Sequence, residues 1–276
     1  MPVVEDSSRT SHAEQPDTKA LLVNSVVAAV LATAATIFIH EVVHLLTGLV
    51  LGHAGTLYPF GVLHDGTLTN GETAATAIAA PVISLVTGWI LLARLPRPAA
   101  AGFGHLFLFW LAATSFMEGA GYLVITPFGA GDTAATVDAL GWPGWTALVL
   151  ALLGIGLMFL GARMLAPHVI RLAGRDRTPG WALAFHPWWI GTIVNMGLSI
   201  AYLSLADAGL TDGEATAVVA GSMALLVLGP MSFIFQGKLP DQRRTHLAPG
   251  ISVPGLAALV AMVALNVLLV AGRHIG

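Results

Sequence analysis

The sequence of 276 residues contains no cysteine, and only 10% of its residues are charged. The lack of cysteine excludes disulfide bonds, a thiolate nucleophile and every zinc site built from cysteine. A metal site in this chain would therefore have to use histidine and carboxylate side chains. The charged fraction is also well below the roughly 25% that is typical of soluble domains, which indicates a different class of protein.

Hydrophobic residues make up 56% of the chain, and its mean hydropathy is +0.80. These values are typical of a membrane protein. The net charge is only −3, and the basic residues do not form the cluster that a nucleic-acid-binding surface requires. We therefore expect the lipid bilayer, and no nucleic acid, as a partner.

Seven apolar segments are long enough to cross a bilayer, at about 20 residues per span. They cover residues 21–51, 72–93, 104–125, 145–165, 182–206, 215–236 and 252–272. Proline and glycine residues mark the junctions between the segments. The sequence thus predicts an all-α polytopic membrane protein of about seven transmembrane helices.

The chain divides into three predicted regions. Residues 1–20 are polar and mixed in charge, which predicts a disordered tail. Residues 21–142 hold the first three spans, and the loop at 53–70 has the Thr, Tyr and Val content and the turn signals of a small, membrane-associated β-hairpin. Residues 143–276 hold four further spans of unknown role.

The distribution of lysine and arginine predicts how the chain is oriented. Loops 52–71, 126–144 and 207–214 contain neither residue, and eleven of the twelve basic residues lie on the opposite side, with Arg273 as the exception. The side rich in lysine and arginine faces the cytoplasm. We therefore expect an integral protein of a bacterial plasma membrane, with the N-terminus cytoplasmic and the C-terminus outside.

The first span contains the stretch "IFIHEVVHLL" at 37–46. A charge at the centre of a membrane helix costs about 2.5–3.5 kcal/mol, so ionisable residues there indicate a function. Residues four apart lie one turn above each other, so His40 and His44 can bind the same metal ion. Neutral imidazoles suit Zn²⁺, with one ion per chain, and Glu41 is placed to act as general base toward the water that zinc activates. The alternatives are histidines that only pack, ligate haem or relay protons.

Catalytic zinc sites usually have three protein ligands, so the motif lacks one. Asp132 lies in "TPFGAGDTAATV", where helix breakers follow the third span at the outer side on which we also expect the histidines. Glu118 lies deeper in that span, about 10–15 Å from Asp132 along the helix. We favour Asp132 as the ligand, with Glu118 as a hydrogen-bond partner behind the site or as the alternative ligand. A helix N-cap is the structural alternative for Asp132.

Three stretches resemble the site-2 protease family of intramembrane zinc metalloproteases. They are "HEVVH" in the first span, "AAPVISLVTG" at 79–88, and "GAGDTA" after the third span, and the resemblance covers about residues 30 to 140. The resemblance implies that His40, His44 and Asp132 bind zinc and that Glu41 is the general base. It also implies hydrolysis of a peptide bond in or near a transmembrane substrate.

A membrane-protein or peptide substrate is the partner that this resemblance implies. The hairpin can hold an unwound substrate by strand addition. Tyr58, His64 and Asn70 in and beside the hairpin, and Asn195 in the fifth span, are candidate substrate-binding residues. The charge bias places the site toward the outer leaflet, whereas familiar family members open toward the cytosol. The sequence predicts no oligomeric state.

Two other classes of function fit the motif. The first is a polytopic metalloenzyme that acts on a lipid or a small amide, because the motif specifies activated water and not the bond that is attacked. The second is a non-catalytic protein, either a metal or proton transporter or a pseudo-protease. The chain has no repeated halves with paired midplane charges, as many transporters have, and Glu41 is intact, which argues against a pseudo-enzyme.

Overall fold

A computed structural model describes residues 17–206 and 208–276. The helices are α1 (Thr18–Val50), α2 (Asn70–Arg94), α3 (Phe103–Ile125), α4 (Asp132–Ala139), α5 (Trp145–Ala173), α6 (Arg177–Gly180), α7 (His186–Leu205), α8 (Asp212–Ala224), α9 (Leu228–Met231), α10 (Phe233–Gln236) and α11 (Val253–Leu269). The strands are β1 (Gly55–Tyr58), β2 (Gly61–His64), β3 (Ala100–Ala101), β4 (His246–Leu247) and β5 (Arg273–Ile275).

Most of the predicted N-terminal tail, residues 1–16, lies outside the described residues. The part that is described differs slightly from the prediction, because α1 begins at Thr18 rather than at residue 21. The Asp17 side chain accepts hydrogen bonds from the backbone N–H groups of Lys19 and Ala20, at 3.0 and 3.4 Å. This cap satisfies donors that the helix itself leaves open, so the helix extends upstream of its apolar run.

Six helical segments of the described chain are long and apolar enough to cross a membrane. They are Thr18–Val50, Asn70–Arg94, Phe103–Phe128, Trp145–Ala173, Arg177–Leu205 and Val218–Gln236. Each matches a span that the sequence predicts. The remaining predicted span corresponds to α11, which is apolar but has only 17 residues. The prediction of a polytopic helical membrane protein is therefore confirmed for six spans.

The helices α1 and α3 lie at the centre of the bundle. Their membrane segments are the most buried of the six, at 61% each. The indole N–H of Trp110 donates to Ser25 Oγ at 2.8 Å, and Ser25 Oγ donates to the Leu183 carbonyl at 2.6 Å. These buried bonds join α1, α3 and the π-helical turn at Trp181–Phe185, so the helix that carries the histidine motif is held on two sides.

The segment "AAPVISLVTG" forms a close contact between α2 and α3. Any side chain at Gly88 would overlap the backbone of Phe116, and one at Gly119 would overlap Leu85 and the Pro81 carbonyl. Small residues allow helix backbones to approach closely in membranes, where packing drives association. This contact brings α3, and the turn that follows it, close to the rest of the core.

The predicted hairpin at 53–70 is confirmed. Strands β1 and β2 pair antiparallel, from Gly55 opposite His64 to Tyr58 opposite Gly61. The structure adds a third strand that the sequence did not predict, because β5 pairs with the other edge of β1. Among the described strands, β2 therefore keeps an unpaired edge while β1 has none.

Candidate metal centre

The motif histidines lie in the C-terminal third of α1, with their rings directed to the same point. The two Nε2 atoms are 3.0 Å apart, and the ring centroids are 4.6 Å apart in an edge-to-face arrangement. His40 is only 1% exposed. The spacing of four residues on a continuous helix thus produces the convergence that the sequence predicts.

Asp132 reaches this point from the turn that follows α3. Gly129 and Gly131 have φ angles of +68° and +78°, a conformation that favours glycine, and they reverse the chain so that α4 begins at Asp132. The Oδ2 atom of Asp132 lies 2.9 Å from His40 Nε2 and 3.1 Å from His44 Nε2. The N-cap of α4 is Gly131 and not Asp132, so the carboxylate is directed toward the histidines.

One ligand atom from each of His40, His44 and Asp132 lies in a group compact enough to hold a metal ion. Burial on its own would raise the pKa of the Asp132 carboxyl, but the contacts with both imidazoles hold that pKa below its ordinary value. The carboxylate is therefore charged at neutral pH, as a metal ligand must be.

In both imidazoles, the Nδ1 atom, which does not face Asp132, faces a hydrogen-bond acceptor. The Nδ1–H of His44 donates to the Thr76 carbonyl at 2.8 Å, and a carbonyl only accepts, so Nε2 of the neutral ring presents its lone pair to the site. Nδ1 of His40 has no hydrogen bond within the described chain, and Glu118 Oε1 lies 3.5 Å from it. The Tyr122 ring stacks on His40 with centroids 5.1 Å apart. Such partners orient metal-binding histidines and fix their tautomer.

Glu118 and Asp132 thus lie on opposite sides of the His40 ring, at Nδ1 and Nε2 respectively. Only Asp132 belongs to the group that could hold a metal ion. This arrangement favours Asp132 over Glu118 as the third ligand of a metal ion, which remains a prediction. Glu118 is 7% exposed and faces His40 Nδ1.

A cavity of about 970 Å³ opens beside the metal group. Its lining includes Glu41, His44 and Asp132, and its walls come from α1, the β1–β2 hairpin, α2, α3, α4, α5, α7, α8 and α11. The carboxylate of Glu41 therefore faces the same space as the ligands. A cavity of this size can admit a peptide segment or a drug-sized molecule.

Two of the four candidate substrate-binding residues line this cavity, namely His64 and Asn195. Burial lowers the pKa of His64, which favours a neutral ring there. Tyr58 stacks on Phe60 with centroids 5.9 Å apart, and Asn70 is exposed at the start of α2. Neither Tyr58 nor Asn70 contributes to the described cavity lining, so the structure provides no support for their predicted role.

Sequence reasoning missed three polar residues of the cavity wall. Tyr122 stacks on His40, while Tyr202 of α7 and Asn266 of α11 are buried at 7% and 4% exposure. The sequence does mark Tyr202 and Asn266 as unusual, because a phenol or an amide inside an apolar membrane helix needs a hydrogen-bond partner. Both residues are far from the histidine motif along the chain, so the sequence did not predict that they share a cavity with it.

Replacing Gly131 by alanine should weaken metal binding through Tyr122. The new Cβ would lie 2.5 Å from Tyr122 Cδ1 at a positive φ, so the ring that stacks on His40 must move. Gly129→Ala is the matched control, because it has a similar φ but no heavy atom within 4 Å of the new Cβ. We expect both variants to lose about 1–3 kcal/mol of stability from backbone strain. Only Gly131→Ala should also lower the affinity for a divalent metal ion in a competition titration, and equal affinities would contradict the role of the Tyr122 contact.

Comparison of the chain with protein-family models, curated proteins and solved structures finds no match.

Proposed function

We propose that the protein is an intramembrane zinc metalloprotease that hydrolyses a peptide bond in or near a transmembrane segment of its substrate. The observation that carries this proposal is the convergence of His40 Nε2, His44 Nε2 and Asp132 Oδ2 within 3.1 Å of one another, beside a cavity that Glu41 also lines. The resemblance to the site-2 protease family points to the same activity.

Zinc suits this donor set. Two imidazoles and one carboxylate would give Zn²⁺ three protein ligands, the number that catalytic zinc sites usually have. The three ligand atoms lie 2.9, 3.0 and 3.1 Å from one another, which is close enough for all three to hold one ion. We therefore assign one Zn²⁺ per chain.

In the proposed mechanism, His40, His44 and Asp132 would hold Zn²⁺, which would supply a Lewis acid for activating water and polarising the scissile carbonyl. The acceptors that face Nδ1 of the two imidazoles would keep both Nε2 atoms directed toward the ion. Glu41 accepts the proton of the attacking water and delivers it to the amine that leaves. Glu41 is buried, and electrostatic interactions are stronger away from bulk water.

The path of α11 supports a seventh span. Its beginning is held at the N-terminal end of α1, where Asn24 donates to the Gly250 carbonyl at 2.9 Å and accepts from the Ser252 N–H at 2.8 Å. Its far end leads into β5, which pairs with β1 just beyond the C-terminal end of α1. Seventeen residues rise about 25 Å, near the lower limit for a span. We infer that the two ends of the described chain lie on opposite sides, with the N-terminus cytoplasmic by the charge bias.

The hairpin offers one edge for a substrate strand. Because β5 occupies the outer edge of β1, strand addition has to use β2. Gly61, Val62 and His64 of β2 line the cavity, so a peptide on this edge enters the space that Glu41 faces. This contact would present an extended segment, and proteolysis of a helix requires such unwinding because the helix conceals its peptide bonds.

The proposal is tested by removing and restoring the metal. Purified protein in liposomes is incubated with a transmembrane reporter peptide, and products are identified by mass spectrometry. We expect cleavage by the zinc-loaded protein, loss of cleavage after 1,10-phenanthroline treatment and dialysis, and recovery with one equivalent of Zn²⁺. Phospholipids of the same liposomes serve as the rival substrate. Metal-dependent lipid hydrolysis with an intact peptide would replace the proposal by the lipid-directed alternative.

A further inference from the structure

Five polar side-chain atoms in the cavity wall form no well-aligned hydrogen bond with the residues that the structure describes. They are Thr33 Oγ1, His64 Nδ1, Asn195 Nδ2, Tyr202 Oη and Asn266 Oδ1. The Tyr202 hydroxyl faces the Asn266 side chain, and every residue of the five except His64 is at least 93% buried. Leaving a buried donor or acceptor unpaired is costly, and more so at membrane depth, where water does not compensate. A concentration of such atoms in one cavity indicates a ligand that supplies the missing partners.

Three of these residues belong to the C-terminal helices, for which the sequence predicts no role. Asn195 and Tyr202 are seven residues apart on α7, which places them on one face of the helix and about 10.5 Å apart along its axis. Ser199 lies between them on the same face and also lines the cavity. Asn266 of α11 lines the same cavity. The polar side of α7 is therefore directed into the cavity and not toward lipid.

The helices α1 and α7 run parallel, which relates this polar face to the metal centre. The Ser25 hydroxyl contacts the Leu183 carbonyl just before α7. Further along both segments, Gly191 lies beside Val30. Residue numbers thus increase in the same direction in both helices, so the C-terminal residues of α7 lie beside the C-terminal residues of α1.

Extending this register places Asn195 at about the level of Thr33 and Tyr202 at about the level of Glu41. The unpaired atoms therefore extend along the cavity to the depth of the catalytic motif. An extended peptide advances about 3.3 Å per residue, so about three residues span the distance between Asn195 and Tyr202. The wall has the length of a short unwound segment.

The chemistry of these atoms matches a peptide backbone. Nδ2 of Asn195 donates, Oδ1 of Asn266 accepts, and the Tyr202 hydroxyl can do either. A helical peptide pairs its own N–H and C=O groups, whereas an unwound peptide exposes both kinds. Lipid acyl chains offer neither a donor nor an acceptor.

We propose that Asn195, Tyr202 and Asn266 form a binding subsite for the unwound backbone of a membrane-spanning peptide, which they hold beside Glu41. This subsite gives α7 and α11 a direct part in substrate binding. It rests on the proposed function, because it names the substrate conformation that the metal centre receives.

The test measures peptide capture without requiring catalysis. Zinc-loaded full-length protein with Glu41→Gln is placed in phosphatidylethanolamine–phosphatidylglycerol liposomes with a photoreactive transmembrane peptide of 20 residues that carries a central Asn-Pro-Gly. An all-Leu/Ala peptide of equal length is the helical comparison. We expect the Asn-Pro-Gly peptide to crosslink at least about tenfold more than the helical one, and this capture to fall about tenfold when Asn195→Leu and Asn266→Leu are added.

Two further variants separate binding from structure. Tyr202→Phe removes only the hydroxyl and should lower capture about threefold. Ser204→Ala changes an exposed hydroxyl of the same helix and should leave capture unchanged. The melting temperature of the Asn195→Leu, Asn266→Leu protein should stay the same or rise, because an unpaired polar atom is replaced by an apolar group. A structural role for these residues would lower it.

Equal capture of the two peptides, no capture of either, unchanged capture in the double variant, or a lower melting temperature in that variant would each overturn the subsite. The proposed function is tested separately, by measuring cleavage of the same peptide with wild-type protein. Capture that depends on Asn195 and Asn266 without any cleavage would support the subsite and contradict the protease activity. Cleavage together with capture that does not depend on either residue would support the protease activity and contradict the subsite.

Discussion

Glu41→Gln should abolish most turnover while the protein keeps its zinc. The substitution preserves the size of the side chain but removes the group that accepts the proton from water. General acid–base catalysis contributes about 10²–10⁴-fold to a rate, so kcat should fall by about that factor. His40, His44 and Asp132 are unchanged, so the zinc content should stay at one ion per chain. The measurements are reporter cleavage by mass spectrometry and elemental analysis of the same preparation.

Glu72→Gln is the matched control for this variant. Glu72 caps α2 by accepting a hydrogen bond from the Thr69 N–H at 2.8 Å, and glutamine can keep this cap. It lies outside the described cavity lining, so turnover should not change. If Glu41→Gln retained wild-type turnover with zinc bound, Glu41 would not be the general base.

Asp132→Ala should remove the zinc. The variant leaves two imidazoles 3.0 Å apart and removes the carboxylate that completes the set of three ligands. Zinc affinity should therefore fall by more than about 100-fold, which exceeds the effect typical of residues that only hydrogen-bond to a ligand. Dialysed protein should then contain little zinc by elemental analysis. Asp138→Ala, on the exposed face of the same helix, should retain one ion per chain.

Glu118→Gln separates the two carboxylates near His40. Glu118 faces Nδ1 at 3.5 Å and does not contact the point where the ligand atoms converge. Its loss should weaken zinc binding by about tenfold, in the range for residues that orient a ligand, while stoichiometric zinc remains after dialysis. Zinc retained by Asp132→Ala and lost from Glu118→Gln would reverse the assignment of the third ligand.

The parts of this site that sequence predicts are those that local spacing determines. His40 and His44 converge because they are four residues apart on one helix. Asp132 was predictable because glycines break the helix before it, although its contact with His40 spans 92 positions. The hairpin was predictable because its strands are adjacent in sequence and carry turn signals between them.

Contacts between distant segments left no such local signal. The pairing of β5 with β1 joins Thr56 to His274, and nothing in either stretch specifies the other. The approach of Asn266 to the cavity depends on how the bundle packs. The expected displacement of about 10–15 Å between Glu118 and Asp132 along the helix did not predict that both carboxylates would face the same His40 ring, at 3.5 Å from Nδ1 and 2.9 Å from Nε2.

Isotope labelling distinguishes hydrolysis of a peptide bond at the proposed metal centre from every other reaction. Zinc-loaded wild-type protein is incubated with the Asn-Pro-Gly transmembrane peptide in water enriched in ¹⁸O, and the fragments are analysed by mass spectrometry. We expect one ¹⁸O atom in the new C-terminal carboxylate, with fragments absent after zinc removal and nearly absent with Glu41→Gln. An intact peptide in the presence of bound zinc, or fragments that form equally without it, would contradict peptide hydrolysis by this centre.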